Sequence, residues 1–136
     1  SLALILLLDQ IPRNIFRGKS YAFASDDHAL SLCVDGIEHG YDKSLALEAK
    51  IFYYMPLEHS ESIEMQLLLM EKLRGLTNDY QHPEHVKKIS MAIDYAQQHA
   101  DIIEQFGRFP HRNSVLERKS TEQELKYLAT AATFGQ

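Results

Sequence analysis

Residues 83–103, PEHVKKISMAIDYAQQHADII, carry the longest regular pattern in the chain and decide its fold class. Apolar residues recur three or four positions apart along the whole segment, at Val86, Ile89, Ile93, Ala96, Ala100 and Ile103. This spacing puts one apolar stripe on a helix whose first turn suits Pro83. A stripe of this kind is typical of a central antiparallel packing seam. The segment therefore predicts a long helix at the centre of an all-helical domain.

The segments on either side show the same helical periodicity. No segment alternates with period two between hairpin turns, so strands are not expected. We predict about six helices in antiparallel pairs within one domain, residues 1–136. The arrangement resembles tetratricopeptide repeats, although their consensus is absent. The predicted N-caps are Ser25, Ser44, Ser60 and Ser120 or Thr121, and the predicted helix ends include Gly40 and Pro56. A capping box can form between Ser120 and Gln123 or between Thr121 and Glu124.

Composition and the first residues limit the classes of protein that fit. The formal net charge of -5 argues against non-specific nucleic-acid binding, which requires a positive surface. The lone cysteine, Cys33, excludes an internal disulfide framework and fits a reducing compartment, so we expect a cytoplasmic protein. The apolar run at residues 2–8 is much shorter than the ~20 residues of a membrane span and lacks the flanks of a signal peptide. We therefore expect no membrane span.

Three polar segments concentrate the chemistry of the chain. They are FGRFPHRN at 106–113, its shorter echo IPRN at 11–14, and PLEHSE at 56–61. A proline-opened helix leaves backbone N–H groups free, and an arginine beside them attracts anions. If Pro12 starts a helical turn, Arg13 and Arg17 lie four apart on one face. The candidate ligand-binding residues are Arg13, Asn14, Arg17, Glu58, His59, Glu61, Arg108, His111, Arg112 and Asn113.

Other motifs are scarce. The sequence has no Walker loop, dinucleotide glycine pattern, HExxH zinc helix or GxSxG elbow, so no cofactor is predicted. His82 and His85 are three apart and could share a metal, but no third ligand is nearby in the sequence. We interpret them as exposed histidines at a helix start and predict no metal site.

Three interpretations of the polar segments stay open. The first is a helical scaffold that binds a protein partner or a small anionic ligand such as a phosphate, a carboxylate or a peptide C-terminus. The second is a hydrolase-like enzyme that uses His59 with Glu58 or Glu61 as its base. The third is purely structural, because arginines at helix junctions often bond carboxylates and carbonyls in fork geometry. Arginine side chains that converge on an open cleft would favour ligand binding. Arginine side chains that lie apart, each paired with a carboxylate, would favour the structural role.

The same segments carry a family resemblance. LDQIPRNIFRG at 8–18, PLEHSE at 56–61, the octapeptide and Ser120-Thr121-Glu122 resemble the bacterial family called domain of unknown function 924. The resemblance implies an all-helical, tetratricopeptide-like fold with no settled activity. It also implies a further aromatic-rich N-terminal region before residue 1, which would cover the opening helix. Without that cover, the apolar face of residues 2–8 predicts self-association or instability. We therefore expect either a longer parent chain or a homo-oligomer that buries this helix.

Overall fold

The computed structural model describes residues 1–131. All regular structure within these residues is helical, which confirms the predicted fold class. The first helical stretch is continuous, since α1 passes through a π turn into α2. The tetratricopeptide-like arrangement stays a prediction. The elements are α1 (Leu2–Ile5), the π turn (Leu6–Gln10), α2 (Ile11–Ile15), a 3-10 turn (Ser20–Phe23), α3 (Asp26–Glu38), α4 (Leu47–Tyr53), α5 (Met55–His59), α6 (Ile63–Asp79), α7 (Pro83–Phe106), a second 3-10 turn (Pro110–Arg112) and α8 (Glu122–Leu128).

The long helix predicted from residues 83–103 is α7, and it pairs with α6 across a three-residue connection. Pro83 stands in its first turn, and the Nδ1 atom of His82 accepts a hydrogen bond from the backbone N–H of Glu84 at 3.2 Å. Gly107 ends the helix in the left-handed region at φ +71°, which glycine adopts without steric cost. Four of the six residues in the predicted stripe are buried, whereas Val86 is exposed and Ile93 is half-buried. The main core lies between α1, α3, α4, α5, α6 and α7.

Two predicted helix starts are wrong. The N-cap of α4 is Ala46 rather than Ser44, and the N-cap of α6 is Ser62 rather than Ser60. Ser60 lies in extended backbone, where its hydroxyl accepts a hydrogen bond from the N–H of Ser62 at 3.2 Å. Pro56 does follow the end of α4, but it also stands in the first turn of α5, a helix that the sequence did not predict. The predicted capping box of α8 is confirmed, with Thr121 and Glu124 bonded reciprocally.

The first helical stretch contains a π turn at Leu6–Gln10. The backbone N–H of Ile11 donates to the carbonyl of Leu6, five residues earlier. Pro12 follows immediately and has no N–H to donate. Its ring also crowds the carbonyl four residues earlier, so the turn before it widens into a π turn. This wide turn contains Asp9, whose side chain is completely buried.

The opening helical stretch buries only one side. Ile5 is fully buried in the main core, but a stripe of apolar residues on the opposite side faces solvent. Leu7 is 54% exposed and Ile15 is 67% exposed, and Leu4 and Ile11 are exposed at the same helical spacing. None of the helices within residues 1–131 is both long enough and apolar enough to span a bilayer.

Candidate functional site: a charged cleft beside His59

Asp9 is the buried centre of the charged groups beside the cleft. One of its oxygens accepts from Nδ1 of His59 at 2.8 Å and from the Arg13 guanidinium at 3.1 Å. Burial by itself raises the pKa of Asp9, but the hydrogen bond from His59 and the positive charge of Arg13 contribute to lowering that pKa overall. Asp9 is therefore ionised at neutral pH, so Nδ1 of His59 is the donor of this bond.

His59 is neutral at neutral pH. Burial lowers its pKa, although the hydrogen bond to Asp9 acts in the opposite direction. With Nδ1 holding the proton, Nε2 is the basic nitrogen of the ring. His59 is the last residue of α5, so this short helix presents the imidazole to the junction of α2 and α3.

Arg13 joins the first helical stretch to α3. Its two terminal nitrogens donate to the two oxygens of Asp26 at 2.8 Å each, in fork geometry. Asp26 stands in the first turn of α3, where a carboxylate also interacts favourably with the helix dipole. The pair therefore fixes the position of α3 relative to the π turn.

Arg112 extends the cluster from the octapeptide. Its guanidinium carbon lies 4.6 Å from the ring centroid of Phe23 and 4.6 Å from that of Phe109, so the group is held between two aromatic rings. It is 4% exposed, and one of its nitrogens lies 4.0 Å from Asp26. Burial, followed by the neighbouring charge of Arg13, lowers the pKa of Arg112 to about 10. Arg112 nevertheless stays charged at neutral pH.

Three of these side chains, Asp26, His59 and Arg112, line an open cleft of about 260 Å³, and Asp9 and Arg13 contact them from behind. The cleft lies between α3, α5, the loop that follows α5 and the second 3-10 turn. Charged, polar and apolar residues all contribute to its wall. The lining residues are Phe23, Asp26, Asp27, Leu30, Pro56, His59, Ser60, Glu61, Arg112 and Leu116.

A second charged network adjoins one side of the cleft and connects α8 to the rest of the fold. Glu61 receives two hydrogen bonds from Arg118, at 2.8 and 3.1 Å, and one from the backbone N–H of Phe109 at 2.6 Å. Burial raises the pKa of Glu61, but the bonds from Arg118 and Phe109 lower it overall. The amide oxygen of Asn113 accepts a hydrogen bond from Arg118, and its amide nitrogen donates one to Glu124, so Asn113 connects these two residues.

Arg108 completes this network away from the cleft. It donates to both oxygens of Glu124, at 2.9 and 2.7 Å, and to the carbonyl of Lys119 at 2.8 Å. The hydrogen bond from Arg108 is the largest influence on Glu124 and lowers the pKa of that carboxyl to about 2. The octapeptide thus holds the start of α8 in place through Arg108 and Asn113.

The predicted site residues divide into five groups. Arg13, His59, Glu61 and Arg112 meet at the cleft or directly behind it, whereas Arg108 and Asn113 belong to the adjoining network. The ring of His111 lies 5.6 Å from that of Phe109. Asn14 and Arg17 are exposed, and Arg17 follows the end of α2, so the prediction that Arg13 and Arg17 share one helical face is wrong. Glu58 faces a separate cavity formed by α4, α6 and α7.

Sequence reasoning missed four residues of this cluster. Asp9 and Arg13 are four apart, a spacing that indicates an ion pair on a helix, and this signal was available. Asp26 was interpreted only as an acid that complements the helix dipole. Phe23 and Arg118 gave no signal, because the residues they contact at the cleft, Arg112 and Glu61, are far away in the sequence.

No group of three or more histidine, cysteine, aspartate or glutamate side chains within residues 1–131 is arranged to hold a metal ion. The rings of His82 and His85 lie 5.8 Å apart at the start of α7, and His82 serves as the N-cap. Cys33 is buried and donates to the carbonyl of Tyr53, and burial raises the pKa of its thiol to about 12.

Comparisons with known proteins agree on the fold and give no activity. A family described as bacterial protein of unknown function, DUF924, matches residues 1–132. A solved structure of a protein of unknown function from Agrobacterium tumefaciens is 37% identical, with a TM-score of 0.78. The match covers 93% of this chain and 65% of that one, so the chain spans less than two thirds of the length of its structural relative. No curated protein matches the chain significantly.

Proposed function

The chain belongs to the bacterial family of unknown function DUF924, and from its charged cleft we propose that it is a binding domain for a small anionic ligand. The observation that supports this proposal is the meeting of His59 and Ser60, from the segment at 56–61, with Arg112, from the octapeptide, at one cleft of about 260 Å³. A space of this size suits a small carboxylate or phosphate rather than a drug-sized molecule, which needs about 300 Å³ or more.

Two of the three acids that line the cleft are paired with arginines and the third, Asp27, is exposed, so the buried guanidinium of Arg112 is the charge that favours an anion. Asp26 and Glu61 are already bonded in fork geometry by Arg13 and Arg118. Arg112 lies buried near both of those arginines, and their like charges contribute to its lowered pKa. An anion in the cleft would reduce this repulsion, so its binding would be favourable at low ionic strength.

Titration with inorganic phosphate and with acetate, followed by calorimetry or by NMR of the histidine side chains, tests the proposal. We expect saturable binding of at least one anion, with uptake of a proton on Nε2 of His59 so that this nitrogen can donate to the anion. Binding should be weakened about tenfold or more by His59→Gln and by Arg112→Gln. Arg17→Gln removes the same charge from an exposed position outside the cleft and serves as the matched control. If neither anion binds, or if His59→Gln binds as the unchanged protein does, the proposal fails.

A second candidate function is hydrolysis, and the Asp9–His59 hydrogen bond favours it. A buried carboxylate that holds Nδ1–H of a neutral histidine leaves Nε2 as a base for a water molecule. In this arrangement the orienting carboxylate is Asp9 rather than Glu58 or Glu61. Ser60 is not hydrogen-bonded to His59 in the part of the chain described here. Hydrolysis of p-nitrophenyl acetate that disappears in His59→Gln would support an enzyme, and equal rates in both proteins would exclude it.

The purely structural interpretation accounts well for part of the cluster. Arg13 and Arg108 each bond a carboxylate in fork geometry, as that interpretation expects. It accounts less directly for the open cleft beside His59. We therefore assign a structural role to Arg13 and Arg108 and keep the binding role for His59 and Arg112. A cytoplasmic location and self-association through the opening helix stay predictions.

A further inference from the structure

A second cavity, separate from the charged cleft, lies between α4, α5, α6 and α7. Its volume is about 260 Å³, and its wall is almost entirely apolar. Glu58 and His59 are consecutive in α5, yet they line different cavities. The lining residues are Ile51, Tyr54, Met55, Glu58, Leu69, Leu73, Met91, Ala92 and Tyr95.

Glu58 is the single charged residue in this wall. It is 3% exposed, and its Oε2 atom is buried without a hydrogen-bond partner. A buried carboxyl oxygen without a partner is costly, and native proteins rarely retain one without a reason. The cavity that Glu58 lines is large enough to admit the missing partner.

The remaining wall is suited to an ammonium group on an apolar body. Tyr54 and Tyr95 contribute aromatic rings, whose faces attract cations. The hydroxyl of Tyr54 donates to Asp42 at 2.5 Å, so Tyr54 contributes its ring rather than its hydroxyl. An adjacent cavity of about 220 Å³ shares Ile51, Met91 and Ala92 and extends the space along α7 toward solvent, where the ion pair of Glu48 and Lys88 lines it.

We propose that this cavity binds a small primary amine with an apolar body, with its ammonium group against the Glu58 carboxylate and its hydrocarbon between α4 and α7. The charge of the ligand complements the one buried acid of the wall. The apolar lining would make the affinity grow with the hydrocarbon length of the amine until the cavity is full. This proposal does not depend on the anion-binding role of the charged cleft.

Binding is coupled to a proton. Burial, with a smaller contribution from the charge of Asp9, raises the pKa of Glu58 to about 8. The other titratable groups facing Glu58 are Tyr54 and Tyr95, and Glu58 in turn contributes to raising the pKa of Tyr95. The carboxyl is therefore mostly protonated at neutral pH, while an ammonium group prefers the ionised form. Binding should release a proton into the buffer.

Calorimetric titration with hexylamine at about pH 7, repeated in buffers of different ionisation enthalpy, tests the proposal. We expect saturable binding with release of up to about one proton per molecule bound. Hexan-1-ol, which has the same chain without the charge, should bind about tenfold more weakly and release no proton. Hexanoate should bind more weakly than hexylamine.

Three variants locate the binding. Glu58→Gln should weaken the binding of hexylamine about tenfold or more and abolish the release of a proton. The same variant should bind hexan-1-ol as the unchanged protein does. Ala92→Leu should weaken the binding of both compounds, because the larger side chain fills the part that the two cavities share. Glu71→Gln, the same substitution at an exposed position of α6, should change neither. Unsaturable hexylamine binding, or equal affinity in the unchanged protein and Glu58→Gln, would overturn the proposal.

Discussion

Replacing Glu58 by glutamine should change the stability of the protein in a strongly pH-dependent way. The pKa of Glu58 rises from its ordinary value of 4.5 to about 8 in the folded chain. Between these two values the folded state keeps a proton that the unfolded state loses. The unfolded state therefore binds fewer protons, and the free energy of unfolding falls as the pH rises. Above about pH 8 this loss is complete.

The size of the effect follows from the two pKa values. Their difference is about 3.5, and each pH unit between them changes the free energy of unfolding by ~1.4 kcal/mol, so the full loss is about 5 kcal/mol. Entry of water into the cavity beside Glu58 would reduce this figure, which makes about 5 kcal/mol an upper limit. Glutamine has a similar shape and no charge, so Glu58→Gln should remove the pH-dependent loss.

Urea denaturation at a series of pH values between about 4.5 and 8 measures this difference. Any constant effect of the amide cancels when the two proteins are compared across pH. We expect the stability of Glu58→Gln relative to the unchanged protein to increase by several kcal/mol from the acid end to the alkaline end. Glu71→Gln should show no such trend. A difference between the two proteins that stays constant within about 1 kcal/mol would refute the conclusion that Glu58 is desolvated.

Three further outcomes are expected. Gly36→Ala should destabilise the fold by about 1–3 kcal/mol in thermal unfolding, because the new Cβ would lie 1.6 Å from the hydroxyl oxygen of buried Tyr53. Tyr53→Phe in the same chain should recover part of that loss, and strictly additive effects would contradict the contact. Thr121→Ala should cost about 1 kcal/mol through loss of the capping box of α8, whereas Thr121→Ser should retain most of the stability. Light scattering should show a homo-oligomer that Leu7→Glu with Ile15→Glu converts to a monomer, and a monomer before substitution would end that prediction.

The helices that the sequence predicted well are those with local signals. The helix α7 was identified from Pro83 at its start and from an uninterrupted apolar stripe, because both signals act within one helix. The capping box at Thr121 was equally local. The serine caps at Ser44 and Ser60 were wrong because a serine can stabilise a loop as well as a helix start, and tertiary packing selects between them.

The candidate site was predictable in its segments but not in its geometry. The octapeptide, its echo and the segment at 56–61 do meet, and they bring Arg13, His59 and Arg112 together. Their spacing could not show that Glu58 and His59 line different cavities. One helical residue step turns a side chain by about 100°, so the orientation of α5 separates the two.

The sequence by itself determined the helical class, the central long helix and the residue types available for a site. Helical periodicity, proline and capping act over a few residues, so they are present in the chain before it folds. Only the tertiary structure decided which charges are paired. Arg118 reaches Glu61 across 57 positions and His59 reaches Asp9 across 50, and no local pattern encodes such contacts. Burial by elements distant in the sequence then raises the pKa of Glu58 and lowers that of His59, because desolvation depends on the surroundings rather than on the residue.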